Sequence, residues 1–275
     1  MEFGSIELVS ITFVLIYLAL GAFVGFMAGL LGIGGGGILV PVLTAVFLAQ
    51  GFPMTQVVHL ALGTSMACIM ITSFSSLRAH HAKGGVIWEL VWLMAPAVML
   101  GTFAATFLAA QLSGKALAWF FSVFMAYVAS QMFRAQPVQA GSAEASKFEF
   151  SCVGVLIGGV SALVSIGGGS LTVPYLNWRR LDMRKAIGTS AAIGFPIAVT
   201  GTLGYVVNGL QSSTALAHTL GFVYWPAVLL VMVPSYFTAK LGASAAHTLP
   251  IKTLKRIFGV LLLLLSIKML ISVYS

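Results

Sequence analysis

Apolar positions in this chain run in long blocks, and the polar, glycine and proline positions fall between the blocks more than within them. The blocks lie at roughly 8–31, 38–50, 56–77, 86–110 and 115–134, and again at 148–166, 168–178, 185–208, 219–241 and 253–273. Most approach the ~20 residues that a helix needs to cross a bilayer. Segments 38–50 and 168–178 fall short of that and read as half-helices or re-entrant arms. Between the two sets lies AQPVQAGSAEASK, residues 135–147, polar and rich in small side chains, which reads as an exposed linker. The expected division is a membrane repeat at 1–134, the linker, and a second membrane repeat at 148–275.

Two of the breaks between blocks share a pattern. GIGGGGILVP runs from Gly32 to Pro41 and SIGGGSLTVP from Ser165 to Pro174, so that Ile33 matches Ile166, Gly34 to Gly36 match Gly167 to Gly169, and Pro41 matches Pro174 at one offset (166 − 33 = 133). Further on, Ala61-Leu62-Gly63-Thr64-Ser65 matches Ala186-Ile187-Gly188-Thr189-Ser190 (188 − 63 = 125), and Leu112, Lys115 and Met132 match Leu249, Lys252 and Met269 (252 − 115 = 137).

Composition turns the apolar blocks into a fold class. Hydrophobic residues make up 59% of 275, charged residues 7%, and the mean hydropathy is +1.04, so a water-soluble surface could not be covered. An outer-membrane barrel would show short alternating strands instead. The class expected is an all-α polytopic membrane protein with two pseudo-symmetric repeats, each a broken or re-entrant glycine-rich hairpin followed by three transmembrane helices. MEFGSIE at the N-terminus lacks a positive n-region and no cleavage-like site follows the first helix, so this segment is expected to stay in the mature chain.

The formal charge of +8 then needs no nucleic acid, because membrane proteins concentrate Lys and Arg in cytoplasmic loops. Arg78, Lys83, Arg134, Lys147, Arg179, Arg180, Arg184, Lys185, Lys240, Lys252, Lys255 and Arg256 share one side if both termini are outside and each glycine motif is the apex of a hairpin. Lys115 is then the one loop cation outside. This arrangement makes the repeats inverted; a parallel repeat of four spans per half would leave Arg78 and Lys83 outside. Cys68 and Cys152 are too few for a disulfide framework or a metal site and read as packing residues, and no cofactor is expected. A monomer and a homodimer both remain open.

A helix break at membrane depth is tolerated only where protein, water or substrate satisfies the freed backbone groups, so two matched breaks point to a cavity. Glycine admits a ligand close to the backbone, and a half-helix starting after each break presents unpaired N–H groups and the positive end of its dipole. Such a site suits an anion. The candidate residues are Gly34, Gly35, Gly36 and Gly37 in the first half and Gly167, Gly168 and Gly169 in the second. Ser165 and Ser170 flank the second run, and Thr64, Ser65, Thr189 and Ser190 are candidate hydroxyl donors; ordinary capping or bonding to the i−4 carbonyl is the alternative for these. The spaced glycines Gly21, Gly25, Gly29, Gly154 and Gly158 read instead as helix-packing positions.

No carboxylate falls at mid-membrane, which argues against a cationic substrate. His59 is the titratable group near the first motif, with a proton or gating role set against ordinary packing. His80 and His81 read as part of a cationic loop, solvated or attractive to anions. Gly32, Gly34 and Gly37 also fit G-x-G-x-x-G, but that match is weak, because the motif has meaning only between a strand and a helix with an acidic residue about 20 positions on, and here Phe52, Pro53 and an apolar helix follow.

The duplicated glycine-rich break ending in V-P, followed by A-[LI]-G-T-S, resembles the TauE/SafE family of sulfite and organosulfur anion exporters, and the resemblance covers nearly the whole chain. It implies a secondary transporter of a small sulfur-containing anion such as sulfite, a sulfonate or sulfoacetate in a bacterial inner membrane, with the partners being that anion and the lipid bilayer. The site it implies falls on Gly34 to Gly37, Thr64 and Ser65, and on Gly167 to Ser170, Thr189 and Ser190. Gly37 is answered by Ser170, so the two sides differ, which would suit an asymmetric substrate. An anion channel is the nearer alternative. A structural membrane subunit would have no use for matched breaks, and an intramembrane enzyme would want converging acids and bases.

Overall fold

The computed structural model describes residues 11–31, 35–133, 146–211, 216–245 and 251–274. Its helices are α1 (Ile11–Leu31), α2 (Gly36–Ala49), α3 (Val57–His81), α4 (Trp88–Gln111), α5 (Gly114–Phe133), α6 (Lys147–Val164), α7 (Gly169–Trp178), α8 (Met183–Leu210), α9 (Trp225–Ala245) and α10 (Ile251–Tyr274). Among the described residues eight helices are long and apolar enough to cross a membrane. The chain is a multi-pass, almost entirely helical membrane protein. At 14 and 10 residues, α2 and α7 extend about 21 and 15 Å, short of the ~30 Å hydrocarbon core. One feature was not legible as such in the apolar block at 219–241. Its first residues form a two-stranded hairpin, β1 (Thr219–Leu220) with β2 (Val223–Tyr224), turned at Gly221 with φ 57°. The linker to position 145 lies outside the described residues; α6 opens at Lys147, with the Ser146 hydroxyl capping it by accepting the Glu149 N–H.

Helices α3 and α8 cross at the centre and are the most buried of the spanning helices. They run antiparallel: Gly63 lies beside Tyr205, Met66 beside Gly201 and Ser73 beside Gly194. Around them, α1 lies parallel to α9 and α6 parallel to α4. Both of these contacts are made by small residues. A Cβ at Gly21, Gly25 or Gly29 would run into the α9 backbone or side chains at Val231, Ser235 and Ala239, and one at Gly158 into Val98 of α4, while Gly101 of α4 admits Val155 of α6. Lipid tails are as apolar as leucine, so helices in a membrane gain from close van der Waals approach rather than from hydrophobic burial. α5 and α10 pair antiparallel, with Trp119 Nε1 donating to the Tyr274 hydroxyl and the Ser122 hydroxyl to the Ser266 carbonyl.

These contacts fix which helix ends share a face of the bundle. At one end the Tyr17 hydroxyl of α1 donates to Gln50 Oε1 after α2, so the α1–α2 hairpin opens there, beside the starts of α3 and α5. At the other end Arg179 at the close of α7 forms an ion pair with Glu149 in the first turn of α6, so the α6–α7 hairpin opens on the opposite face. Lys83 reaches the Ala243 carbonyl at this second end. Here too lie Arg78, Lys147, Arg180, Arg184, Lys185 and Lys240, whereas Lys115 belongs to the first end.

Trp88, Trp119, Trp178 and Trp225 all stand near helix termini, and the last three are about half exposed. Lys268 is exposed. Cys68 is buried, but Cys152 is exposed on α6 and is not a core residue. His80 departs from the loop reading: it is a buried residue in the last turn of α3, and its carbonyl accepts the N–H groups of Lys83 and Gly85. Arg179 likewise is more than a topology marker, being buried, paired to Glu149 and stacked 4.6 Å from the Trp178 ring centroid.

Candidate functional site

Each short helix begins at a glycine in the left-handed region: Gly35 with φ 80° and ψ −5°, Gly168 with φ 73° and ψ −16°, equivalent positions in the repeat pattern (168 − 35 = 133). An L side chain is strained there, which is why glycine occupies both. The Gly35 carbonyl accepts from Ile38 and Leu39 (3.1 Å each), and the Gly168 carbonyl from Leu171 and Thr172 (3.0 and 2.8 Å). The N–H groups of Gly36, Gly37, Gly169 and Ser170 belong to the first turns and have no acceptor within their helices. Each helix also carries a proline at its sixth residue, Pro41 and Pro174, so the carbonyls of Gly37 and Ser170 have no i+4 N–H to receive.

The two breaks meet. α6 ends at Val164, and Ser165 (φ 47°) turns the chain so that its carbonyl sits against the Cα of Gly36, where any Cβ would overlap it. Its hydroxyl donates to the Leu62 carbonyl of α3 at 2.9 Å. On the other side Gly194 of α8 lets the Gly167 carbonyl approach in the same way. The short helices therefore point their N-termini toward a common buried region between α3 and α8. Gly35, Gly36, Gly37, Ser165, Gly167, Gly168 and Gly169 are all buried, and Gly34 lies outside the described residues.

The hydroxyls divide into two kinds. Thr64 Oγ1 accepts the Tyr224 N–H and Thr189 Oγ1 the Ile87 N–H, both at 3.0 Å. The glycines just before them make room for the same segments, Gly63 against the Phe222 carbonyl and Gly188 against that of Gly85. Thus G-T is a docking device for the chain that leads into α9 and α4, a use the linear pattern did not suggest. Ser65 and Ser190 are different. Both are fully buried, and neither hydroxyl has a hydrogen-bond partner. The Ser170 hydroxyl is also buried and unpartnered. An unmatched buried hydroxyl costs about 1–3 kcal/mol, so three at candidate positions are expensive to keep without a ligand.

Ser161 and Thr172 share that state and were missed from sequence. Ser161 lies one turn ahead of the break, accepting the Ile166 N–H on its carbonyl, and Thr172 lies one turn beyond Gly168. Proximity to the motif was the available signal. His59 is not at the breaks. Its Nε2 lies 3.1 Å from the carbonyl oxygens of both Ala109 and Leu112, so it carries the proton and caps the end of α4. Among the described residues, charge at the breaks comes from helix ends, each worth about 0.3–1 kcal/mol when exposed and up to ~2 when partly buried. That sign and strength fit reversible binding of an anion.

The family described as Sulfite exporter TauE/SafE matches residues 17–269. The chain belongs to the TauE/SafE family. Among its relatives, a "Probable membrane transporter protein" of Haemophilus influenzae is 36% identical over 259 residues, covering 94% of this chain and 98% of its own length. Others of that description are 30% identical in Xylella fastidiosa, covering 90% and 91%, and 26% identical in Methanocaldococcus jannaschii, covering 91% and 93%. No solved structure matches the chain. Membership makes this a membrane transporter of the TauE/SafE type, and places the glycine breaks well inside the matched region.

Proposed function

We propose that the protein is a secondary transporter, working as an exporter, of a small sulfur-containing anion such as sulfite, a sulfonate or sulfoacetate, and that it acts by alternating access. The observation that carries this is the contact between the breaks, Gly36 against Ser165, which brings the two helix N-termini together with the unpartnered hydroxyl of Ser170 in the first turn of α7, while the unpartnered hydroxyls of Ser65 and Ser190 lie on α3 and α8 to either side of the breaks. An oxyanion there receives N–H and O–H donors and meets no carboxylate.

The helix pairing supports an inverted repeat. Exchanging α1–α5 with α6–α10 turns the α1–α9 pair into α6–α4 and maps the Thr64–Tyr224 bond onto Thr189–Ile87. The hairpins open on opposite faces, so rocking the outer helices about α3 and α8 would expose the site to each side in turn. The cation-rich end is taken as cytoplasmic in a bacterial inner membrane, with both termini outside.

Proteoliposomes loaded with sulfite or sulfoacetate test the reading. Protein-dependent counterflow of labelled anion is the expected result. Equilibration without counterflow would make the protein a channel, and no flux of any sulfur oxyanion would overturn the proposal.

A further inference from the structure

A cavity of about 480 Å³ opens at the first end of the bundle, away from the breaks. Its lining includes Gln56 just before α3, His59 of α3, Lys115 of α5, Phe222 of the hairpin and Val273 of α10. The volume is that of a small-molecule site. Several features make it attractive to an anion. α3 and α5 both begin there, α3 without a side-chain cap. Lys115, which stands apart from the cations gathered at the other end, holds its Nζ 5.0 Å from the Tyr274 ring centroid at the cavity edge. Two carbonyls that would oppose an anion, those closing α4 at Ala109 and Leu112, are already taken by His59 Nε2.

His59 is the second observation. The residue is 94% buried (6% exposed), and its Nδ1 has no hydrogen-bond partner in good geometry, the Thr55 backbone lying beside the ring, which lines a cavity. The ring is otherwise held against Phe222, centroids 5.2 Å apart. Phe222 also connects the cavity to the breaks: its carbonyl rests on Gly63, two residues before Ser65, and Ser65 lies about 9 Å along α3 from His59.

We propose that this cavity is a peripheral binding site for an oxyanion head carried on a short apolar stem, with Lys115 and His59 holding the head and Phe222 and Val273 the stem. It deepens the transport reading and rests on it, as the waiting or release position of the substrate on the side opposite the cation-rich end. An oxyanion beside Nδ1 draws a solvent proton onto that nitrogen, so the occupied site holds an imidazolium facing Lys115 across the ligand, with Tyr274 beneath the lysine. A free organic anion and a lipid phosphate present the same head chemistry, and the test separates them.

Protein labelled with 15N-histidine is placed in phosphatidylcholine nanodiscs and titrated with propane-1-sulfonate, with His59 assigned through His59→Gln. The expected result is a saturable movement of the His59 Nδ1 signal toward the protonated range, with affinity about tenfold weaker in Lys115→Gln, a change at an exposed position that spares the fold. The same movement on introducing phosphatidylglycerol without sulfonate identifies a lipid headgroup as the occupant, and a response to sulfonate alone identifies the free anion. A His59 signal that never moves, or moves identically in Lys115→Gln, overturns the site. Intact sulfite counterflow with a silent His59 defeats this inference alone; a responding His59 in a protein without counterflow defeats the transport reading and leaves the site standing.

Discussion

The Ser165 hydroxyl donates to the Leu62 carbonyl of α3 at 2.9 Å while the Ser165 backbone carbonyl rests on Gly36. One residue at the end of α6 thus ties the second break both to the central helix and to the first break. Replacing it with alanine removes a buried hydrogen bond worth about 0.5–1.5 kcal/mol. We expect Ser165→Ala to lower the midpoint of thermal unfolding in detergent modestly, and to reduce counterflow more than that loss of stability explains.

Gly36 and Gly37 are adjacent but meet different neighbours. A Cβ at Gly36 strikes backbone, the Ser165 carbonyl, whereas at Gly37 it meets the flexible ends of Leu262 and Met125. Gly36→Ala should therefore force the hairpins apart and abolish transport, while Gly37→Ala should remain monodisperse on gel filtration. Equal tolerance of the two substitutions would show that the breaks do not touch in the membrane.

The neighbouring hydroxyls should separate stability from transport. Thr64→Val strands the buried N–H of Tyr224 at a cost of about 1–3 kcal/mol, Thr189→Val strands the part-buried N–H of Ile87 at the low end of that range, and the serine variants should restore most of it. Ser65→Ala and Ser190→Ala break no hydrogen bond within the protein. These should leave unfolding unchanged and raise the KM for sulfite. A stability loss in the serine set as large as in the threonine set would contradict the assignment.

Ser170 is the sequence counterpart of Gly37, and its hydroxyl is buried without a partner. Ser170→Gly is expected to alter the ratio of sulfite to sulfoacetate transport. An unchanged ratio in competition counterflow would remove Ser170 from the selectivity of the site.

Orientation is open to a direct check. Cysteines placed at Lys115 and Lys83, in a background lacking Cys68 and Cys152, should react with a membrane-impermeant maleimide from opposite sides, Lys115→Cys from outside intact cells. Labelling of both from one side would contradict the helix directions derived from the α1–α9 and α3–α8 contacts.

Much of this was present in the linear order of residues. Hydrocarbon forbids unpaired backbone, so long apolar blocks already require membrane helices, and Gly35 and Gly168 announce their breaks because four or three consecutive glycines have no other use inside a span. The spaced glycines of α1 and α6 announced close packing for the same local reason. The partners of those surfaces were decided only by tertiary structure. That α1 packs on α9, that Ser165 reaches Leu62 across 103 residues, and that Thr64 serves Tyr224 while Ser65 is left free depend on how helices far apart in sequence lie side by side. Adjacent threonine and serine look alike in the chain; only the direction each faces from α3 separates a structural acceptor from a candidate ligand donor. His59 shows the same limit, since a helix-start histidine gives no sign that its ring closes α4 and borders a cavity until the two helix ends are brought together.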